Sequence, residues 1–457
     1  MSNNLAIRDS GVQLAHIIKD HPKWTAIREA VTNAIEAGTG YCNNNPCNIK
    51  IRKMHLNDLI EYADGDKIVG LFKNKLSFLN PGGMTPTEME SALCTVGKSV
   101  NKENSLDRNF GQGIRTATLF WTDLLVISYK NGQGHYCWLG KEDTGLFDFD
   151  IKIHSKDGPD SVTECTQWII DNAKEREYNL DEEFTEVIFL GKEANPTQDT
   201  FMEPYGDSKN HSDGVLWIRK ALATRYWKLP DNVKILLHIN VRSKPSAKED
   251  SGYRDFMTFT QCLNHKIPKA TGTPKTEVIK TQSGVRIHYI YDAPLGGTYE
   301  GSDKPYSTFK ANDNAWPGGN ISGIIYRDEI YDPQSHAQKE KSSLIPLGIW
   351  SDHRYFKIMY ELPEATYITD MYRTTIMKGQ EPVYFTSDFV QQDIIDNMPQ
   401  WFKDLTDKTR VKPITNLNEE IQKRLAQQRS LLNPFKGMST TGKGAMQGGQ
   451  GGSSSSS

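Results

Sequence analysis

Apolar and polar positions change period several times along this chain, and each change marks an element. Between Val12 and Ala37 the apolar residues recur at helical spacing. Leu14, Ile17 and Ile18 form one stripe, Pro22 interrupts it, and Ile27, Ala30, Val31, Ala34 and Ile35 resume it. This predicts one or two helices, ended by Gly38-Thr39-Gly40. From Asn48 to Met54 the period shortens to two, as in a half-buried strand. A second strand fits Lys75–Leu79 and runs straight into Asn80-Pro81-Gly82-Gly83. Residues 84–110 are polar and punctuated, which predicts a long mobile loop with a short helix near Glu88–Leu93. Gly111-Gln112-Gly113 then opens a helix through Ala117, and Leu124–Tyr129 reads as a strand. The alternation continues to about residue 195, which predicts an α/β sandwich over residues 1–195.

A turn-rich stretch over 196–212 predicts a boundary. Beyond it, strands fit Val233–Val241, Thr276–Lys280, Val285–Tyr291, Gly323–Tyr331 and Tyr355–Tyr360, a second α+β domain over 213–390. The aromatic-rich stretch from Tyr355 to Tyr372 reads as core. Residues 391–435 form a helical segment, with Leu417, Ile421, Leu425 and Leu432 on one broad side. The Gly/Ser/Gln composition of 436–457 predicts a disordered tail.

Composition narrows the class. The 457 residues carry 54 basic and 57 acidic side chains, a net charge of −3, so no whole-chain nucleic-acid signature exists. Six cysteines are too sparse for a disulfide scaffold and fit a reducing compartment, so a cytoplasmic location is expected. No apolar run approaches the ~20 residues of a membrane-spanning helix, and the first residues lack a signal-peptide layout.

Three constellations carry candidate chemistry. Glu29, Asn33 and Glu36 stand at i, i+4 and i+7 and share one helix face. A carboxamide one turn from a carboxylate suits a metal ion and a water held against a phosphate, though alone this is also what a solvated helix face looks like. Leu79-Asn80-Pro81-Gly82-Gly83-Met84 is a Gly-rich turn that lets backbone approach a flat ligand, or simply an ordinary turn. Asn109-Phe110-Gly111-Gln112-Gly113-Ile114-Arg115 opens a helix with exposed N–H groups suited to phosphate, or is a plain cap.

Their order resembles one superfamily, the GHKL ATPases: gyrase B subunits, the large heat-shock chaperones, histidine kinases, MutL and MORC proteins. Residues 29–37 are similar to that family's Glu-x-x-x-Asn-Ala-x-Asp-Ala box, with Glu36 where Asp is usual. Gly97-Lys98-Ser99 and Phe110-Gly111-Gln112-Gly113 resemble its lid and closing glycine box. Two positions depart. Asn80 stands where an Asp normally contacts the adenine amino group, and Arg108 occupies the first glycine of the closing box. An Asn carbonyl can accept the same hydrogen bond, while its amide could favour a different base edge.

The resemblance implies a GHKL-type sandwich followed by a transducer-like α+β domain, with ATP and Mg²⁺ as cofactors. It implies that Glu29 is the general base, that Asn33 holds Mg²⁺, and that Glu36 supports the nucleotide pocket. Asn80, Gly82, Gly83 and Met84 would line the adenine site. Gly111, Gln112 and Gly113 would offer N–H groups to the phosphates, with Lys98 and Arg108 on the lid. A basic residue of the second domain, among Lys339, Lys341, Arg373 and Lys378, would reach the γ-phosphate. Such proteins use slow ATP turnover to close and reopen a homodimer, often in a chaperone-like cycle acting on a protein partner. The alternatives are a nucleotide-binding module with little hydrolysis, and an ATPase partner in DNA processing.

Other signals are discounted. Ala92–Ser99 lacks the first glycine and the buried strand of a P-loop. Cys42-Asn43-Asn44-Asn45-Pro46-Cys47 has no second Cys or His pair to complete a zinc site. His211, His238, His288, His336 and His353 show no ligand spacing, and His16 lies too near Asn33 to belong to a separate phosphoacceptor helix.

Overall fold

The computed structural model describes residues 25–53, 72–94, 123–145, 148–154, 161–192, 222–238, 252–261, 275–291, 321–335, 342–351, 353–370 and 373–409. It is a mixed α/β protein with sheets of nine, five and three strands.

The first helix, α1 (Thr25–Cys42), uses the predicted stripe: Ile27, Ala30, Val31 and Ala34 are all buried. It does not stop at Gly38. That glycine is a point of close approach, since a Cβ there would lie 2.5 Å from the sulfur of Cys47. The chain reverses instead at Asn43 and Asn44, both left-handed (φ 44° and 74°), a conformation Asn tolerates better than most residues.

The large sheet takes β1 (Cys47–Lys53), β2 (Phe72–Pro81), β3 (Asp123–Lys130), β4 (Gln133–Gly145), β5 (Asp148–His154), β6 (Thr163–Glu164), β7 (Phe184–Lys192), β8 (Val233–His238) and β9 (Tyr253–Asp255). Its order is β5-β4-β3-β7-β2-β1-β8-β9, with β6 on β4. Pairing is antiparallel throughout except between β1 and β8. The strand at Val233, expected in the second domain, is therefore part of the first sheet, so that sheet draws on chain beyond the expected boundary at 213. Its alternation made it a strand, but nothing local says which sheet it joins.

Strand β3 is buried along its length because both sheet faces are covered. Leu124 and Val126 pack into the core under α1 and α2 (Pro86–Cys94). Leu125, Ile127 and Tyr129 pack into a second core under α3 (Thr166–Asn172). Helix α2 opens with a reciprocal cap, Thr85 N–H to Glu88 Oε2 at 2.7 Å and Glu88 N–H to Thr85 Oγ1 at 3.3 Å.

The second sheet comprises β10 (Lys275–Lys280), β11 (Arg286–Tyr291), β12 (Ile321–Tyr326), β13 (Glu329–Ser335) and β14 (Phe356–Glu361), ordered β10-β11-β14-β12-β13. The single strand expected over Gly323–Tyr331 is a hairpin. Arg327 and Asp328 (φ 50° and 60°) turn it without a glycine, so the usual turn signal is missing. Strands β15 (Ile368–Thr369), β16 (Ile376–Lys378) and β17 (Glu381–Val383) form the small sheet. Helices α4 (Asp388–Asp396) and α5 (Gln400–Thr409) place Val390, Ile394, Met398 and Phe402 in the core of the five-stranded sheet, so the chain past 391 is continuous with that unit. Phe356, Tyr360 and Tyr367 lie in the same core, as the aromatic stretch predicted.

Candidate functional site

Helix α1 lies across the end of β2, and its last turns abut the Gly-rich turn. A Cβ on Gly82, which is left-handed at φ 95°, would lie 3.0 Å from Tyr41 Cβ and 3.5 Å from the Ala37 carbonyl oxygen. Gly83 presses on the neighbouring strand, where a Cβ would come within 2.2 Å of the Tyr129 carbonyl oxygen. The last turns of α1, through Ala37 and Tyr41, thus meet the Gly-rich turn.

Earlier in α1, Glu29 is only 8% exposed and Asn33 and Glu36 are half-buried. Arg28, itself buried, donates to Glu29 Oε1 and to the backbone carbonyl of Arg373. Arg373 Nη1 donates to Glu36 Oε1 at 3.2 Å. Burial pushes the Glu36 carboxyl above its ordinary range, with Arg373 opposing and Glu29 and Glu329 adding to the rise. Asn33, between the two carboxylates, has no hydrogen-bond partner among the described residues.

At the turn, buried Asn80 donates from Nδ2 to the Pro81 carbonyl oxygen at 2.8 Å. A carbonyl can only accept, so this contact fixes the amide orientation and leaves Oδ1 and the second N–H of Nδ2 as what Asn80 has to offer. Thr185 lies opposite Asn80 in the β2–β7 register. Its hydroxyl donates to the Gly82 carbonyl at 2.8 Å and lies 3.2 Å from the Ser128 hydroxyl, and Ser128 Oγ accepts from Met84 N–H at 2.6 Å. Sequence reasoning passed over Thr185 and Ser128, which sit inside ordinary strand patterns.

The second unit reaches this helix through a buried charge cluster that was also not foreseen. Arg225 pairs with Glu329, donates to the Ile330 carbonyl at 3.1 Å and to the Arg373 carbonyl at 3.1 Å, and lies 3.9 Å over the Tyr331 ring. Thr32 of α1 meets the Tyr226 hydroxyl at 3.0 Å. The Arg373 loop is held by Asp370, whose carboxylate accepts from the Thr374 and Thr375 backbone at 2.6 and 3.1 Å.

Of the second-domain cations, Arg373 is at α1, whereas Lys378 lies 6.0 Å over Tyr367 and 5.7 Å over Phe389. Lys339, Lys341, Lys98, Arg108, Gly111, Gln112 and Gly113 lie outside the described residues. Among those described, no cluster of three or more His, Cys, Asp or Glu has metal-site geometry, and no helix is long and apolar enough to cross a membrane. A cavity of about 410 Å³ between Trp227, Thr258, Val278 and His288 sits on the second sheet, and none of the motif residues lines it. Compared with known proteins, the chain matches no family model and no curated protein.

Proposed function

We propose that this chain binds ATP with Mg²⁺ between α1 and the Asn80–Met84 turn and hydrolyses it slowly, as a GHKL-type ATPase working a dimer clamp with a chaperone-like cycle. The observation that carries the reading is the meeting of α1 with the Gly-rich turn. The helix that carries Glu29, Asn33 and Glu36 abuts, through Ala37 and Tyr41, a turn whose two glycines are required by close contacts. Asn33 supports it further, because its half-buried carboxamide has no side-chain hydrogen-bond partner among the described residues and is open to a ligand.

The residues fit the group. Mg²⁺ commonly takes one or two protein ligands and completes its shell with phosphate oxygens and water, and Asn33 would be such a ligand. When bound, it would neutralise phosphate charge. Glu29 would accept a proton from the attacking water, as a general base must. Asn80 Oδ1 would accept from the amino group of adenine, while the second N–H on Nδ2 would suit a different base edge.

A second reading, a nucleotide-binding module with little turnover, is favoured by one contact: Arg28 already donates to Glu29 Oε1, so that oxygen is engaged by a guanidinium instead of facing a water. Steady-state ATPase activity with and without Mg²⁺, repeated for Glu29→Ala, separates the two. Mg²⁺-dependent turnover lost in the variant supports the ATPase. ATP binding without turnover selects the module, and no ATP binding at all sinks both.

A further inference from the structure

The sequence leaves one pair of residues without a role, Cys42 and Cys47, with no second Cys or His pair to complete a metal site. The fold brings them together. Cys42 is the last residue of α1 and Cys47 the first of β1. Between them the chain reverses through left-handed Asn43 and Asn44, closed by the Asn45 N–H donating to the Cys42 carbonyl at 2.8 Å. Cys42 stands one helical turn after Gly38, the residue that the Cys47 sulfur packs against, so the two side chains share one side of α1. Both are free thiols, Cys42 half-buried and Cys47 fully buried.

Their position matters more than their proximity. The Cys47 sulfur fills the space beside Gly38 where no side chain fits, and the same Cβ position at Gly38 lies 3.7 Å from Pro81 Cδ. One residue before Cys42, Tyr41 packs on Gly82, and its hydroxyl accepts from the Glu183 N–H at 3.3 Å. The Gly82 N–H in turn donates to the Glu183 carbonyl at 2.9 Å. The Cys47 sulfur and Pro81 Cδ therefore flank the same point of α1.

We propose that Cys42 and Cys47 are a peroxide-responsive modification site, and that their disulfide loosens the packing of α1 on the Gly82 turn. That this turn is a nucleotide wall rests on the function proposed above; the disulfide does not. The partners have distinct parts. Burial, followed by the neighbouring Cys42, pushes the Cys47 thiol up to about 12, so it is a poor first nucleophile. Half-buried Cys42 attacks the peroxide: an S–O bond forms, the O–O bond breaks, and one water leaves. The Cys47 sulfur then attacks the sulfenic sulfur of Cys42, and the Cys47 proton departs with the hydroxyl as a second water. One peroxide is reduced and two thiols are oxidised, and a thiol reductant reverses the bond.

The chain supplies its own readout. With no Lys or Arg between Glu29 and Lys50, one tryptic peptide carries both cysteines. After treatment with hydrogen peroxide and alkylation of the remaining thiols, that peptide is expected unalkylated and lighter by two hydrogen atoms, reverting with dithiothreitol. Cys42→Ser and Cys47→Ala should each abolish that mass. Hydrogen exchange over Phe78–Met84 should rise several-fold on oxidation of the wild type and stay unchanged in both variants. A doubly alkylated peptide, or one made heavier by sulfinic oxygens, overturns the disulfide. An intact disulfide with unchanged exchange overturns the coupling to the turn. If disulfide and exchange behave as expected while neither redox form binds ATP, the staple stands and the nucleotide reading alone falls.

Discussion

Arg28, in the helix that carries Glu29 and Asn33, donates a hydrogen bond to the backbone carbonyl of Arg373, 345 positions further along the chain. Arg373 is left-handed (φ 51°), a conformation that costs a non-glycine residue roughly 1–2 kcal/mol. Its carbonyl accepts from Arg225 as well. Three guanidinium groups therefore gather with Glu29, Glu36 and Glu329, and the charges balance in pairs. This cluster, more than apolar contact, ties α1 to the second unit.

Glu329 is the carboxylate whose removal tests that tie. Burial pushes its carboxyl up, but Arg225 first, then Arg28 and Arg373, outweigh burial and hold it below the ordinary range. Glu329→Ala leaves Arg225 buried without its counter-charge, so a loss of about 3–5 kcal/mol is expected in urea denaturation. Replacing both partners, Glu329→Leu with Arg225→Met, should recover much of the loss. A midpoint unmoved by Glu329→Ala would show that solvent already reaches the cluster.

Asn33→Ala separates a ligand site from a structural one. Because Asn33 is half-buried and has no partner among the described residues, stability should change by no more than about 0.5 kcal/mol. Mg²⁺-dependent ATP binding, followed by calorimetry, should be lost. Unchanged affinity in the folded variant removes Asn33 from the site.

The legible and illegible parts of the molecule divide along a physical line. The α1 stripe and the glycines at 82 and 83 were readable because periodicity and the lack of a side chain are local properties. Gly38 was misread as a stop because a glycine needed for close approach looks the same in sequence as one needed for a turn. The Arg327–Asp328 turn was missed because neither residue is Gly or Asn. Glu186 illustrates the larger gap: it lies within a strand pattern, and its partner Arg52 is 134 positions away. No local signal announces a charge pair of that separation, and the same holds for Arg28, Arg225 and Glu329.

Glu186 also sets an acid limit on stability. It is fully buried between Arg52 (3.1 Å), Ser77 and Tyr178. Burial pushes its carboxyl up, yet Arg52, then Arg176 and the hydrogen bonds from Ser77 and Tyr178, hold it below the ordinary range. A depressed folded-state value means that the stabilisation is present above the unfolded value of ~4.3 and is lost as pH falls through the folded one. Glu186→Gln should therefore cost about 3–5 kcal/mol near neutrality, and the gap to wild type should close as pH drops below 4 or so. Denaturation curves collected across that range check the sign. A gap that widens with acid would mean the carboxyl is raised instead.

The two carboxylates of α1 should fail in different ways when removed. A general base must touch the water in line with the γ-phosphate. The motif resemblance puts Glu29 there, seven positions before Glu36 and close to the Arg28 guanidinium. Glu29→Ala should leave ATP affinity roughly intact and lower turnover by on the order of 10²–10⁴. Glu36 is tied to Arg373, so Glu36→Ala takes one partner from a second-unit cation beside α1 and should weaken binding before it slows chemistry. Fluorescent-nucleotide titration with single-turnover kinetics reads both quantities on the same protein. If Glu36→Ala bound ATP tightly yet did not turn it over, while Glu29→Ala lost affinity, the roles along this helix would be exchanged. Arg28 would then be the cation that supports binding, rather than the partner of the base.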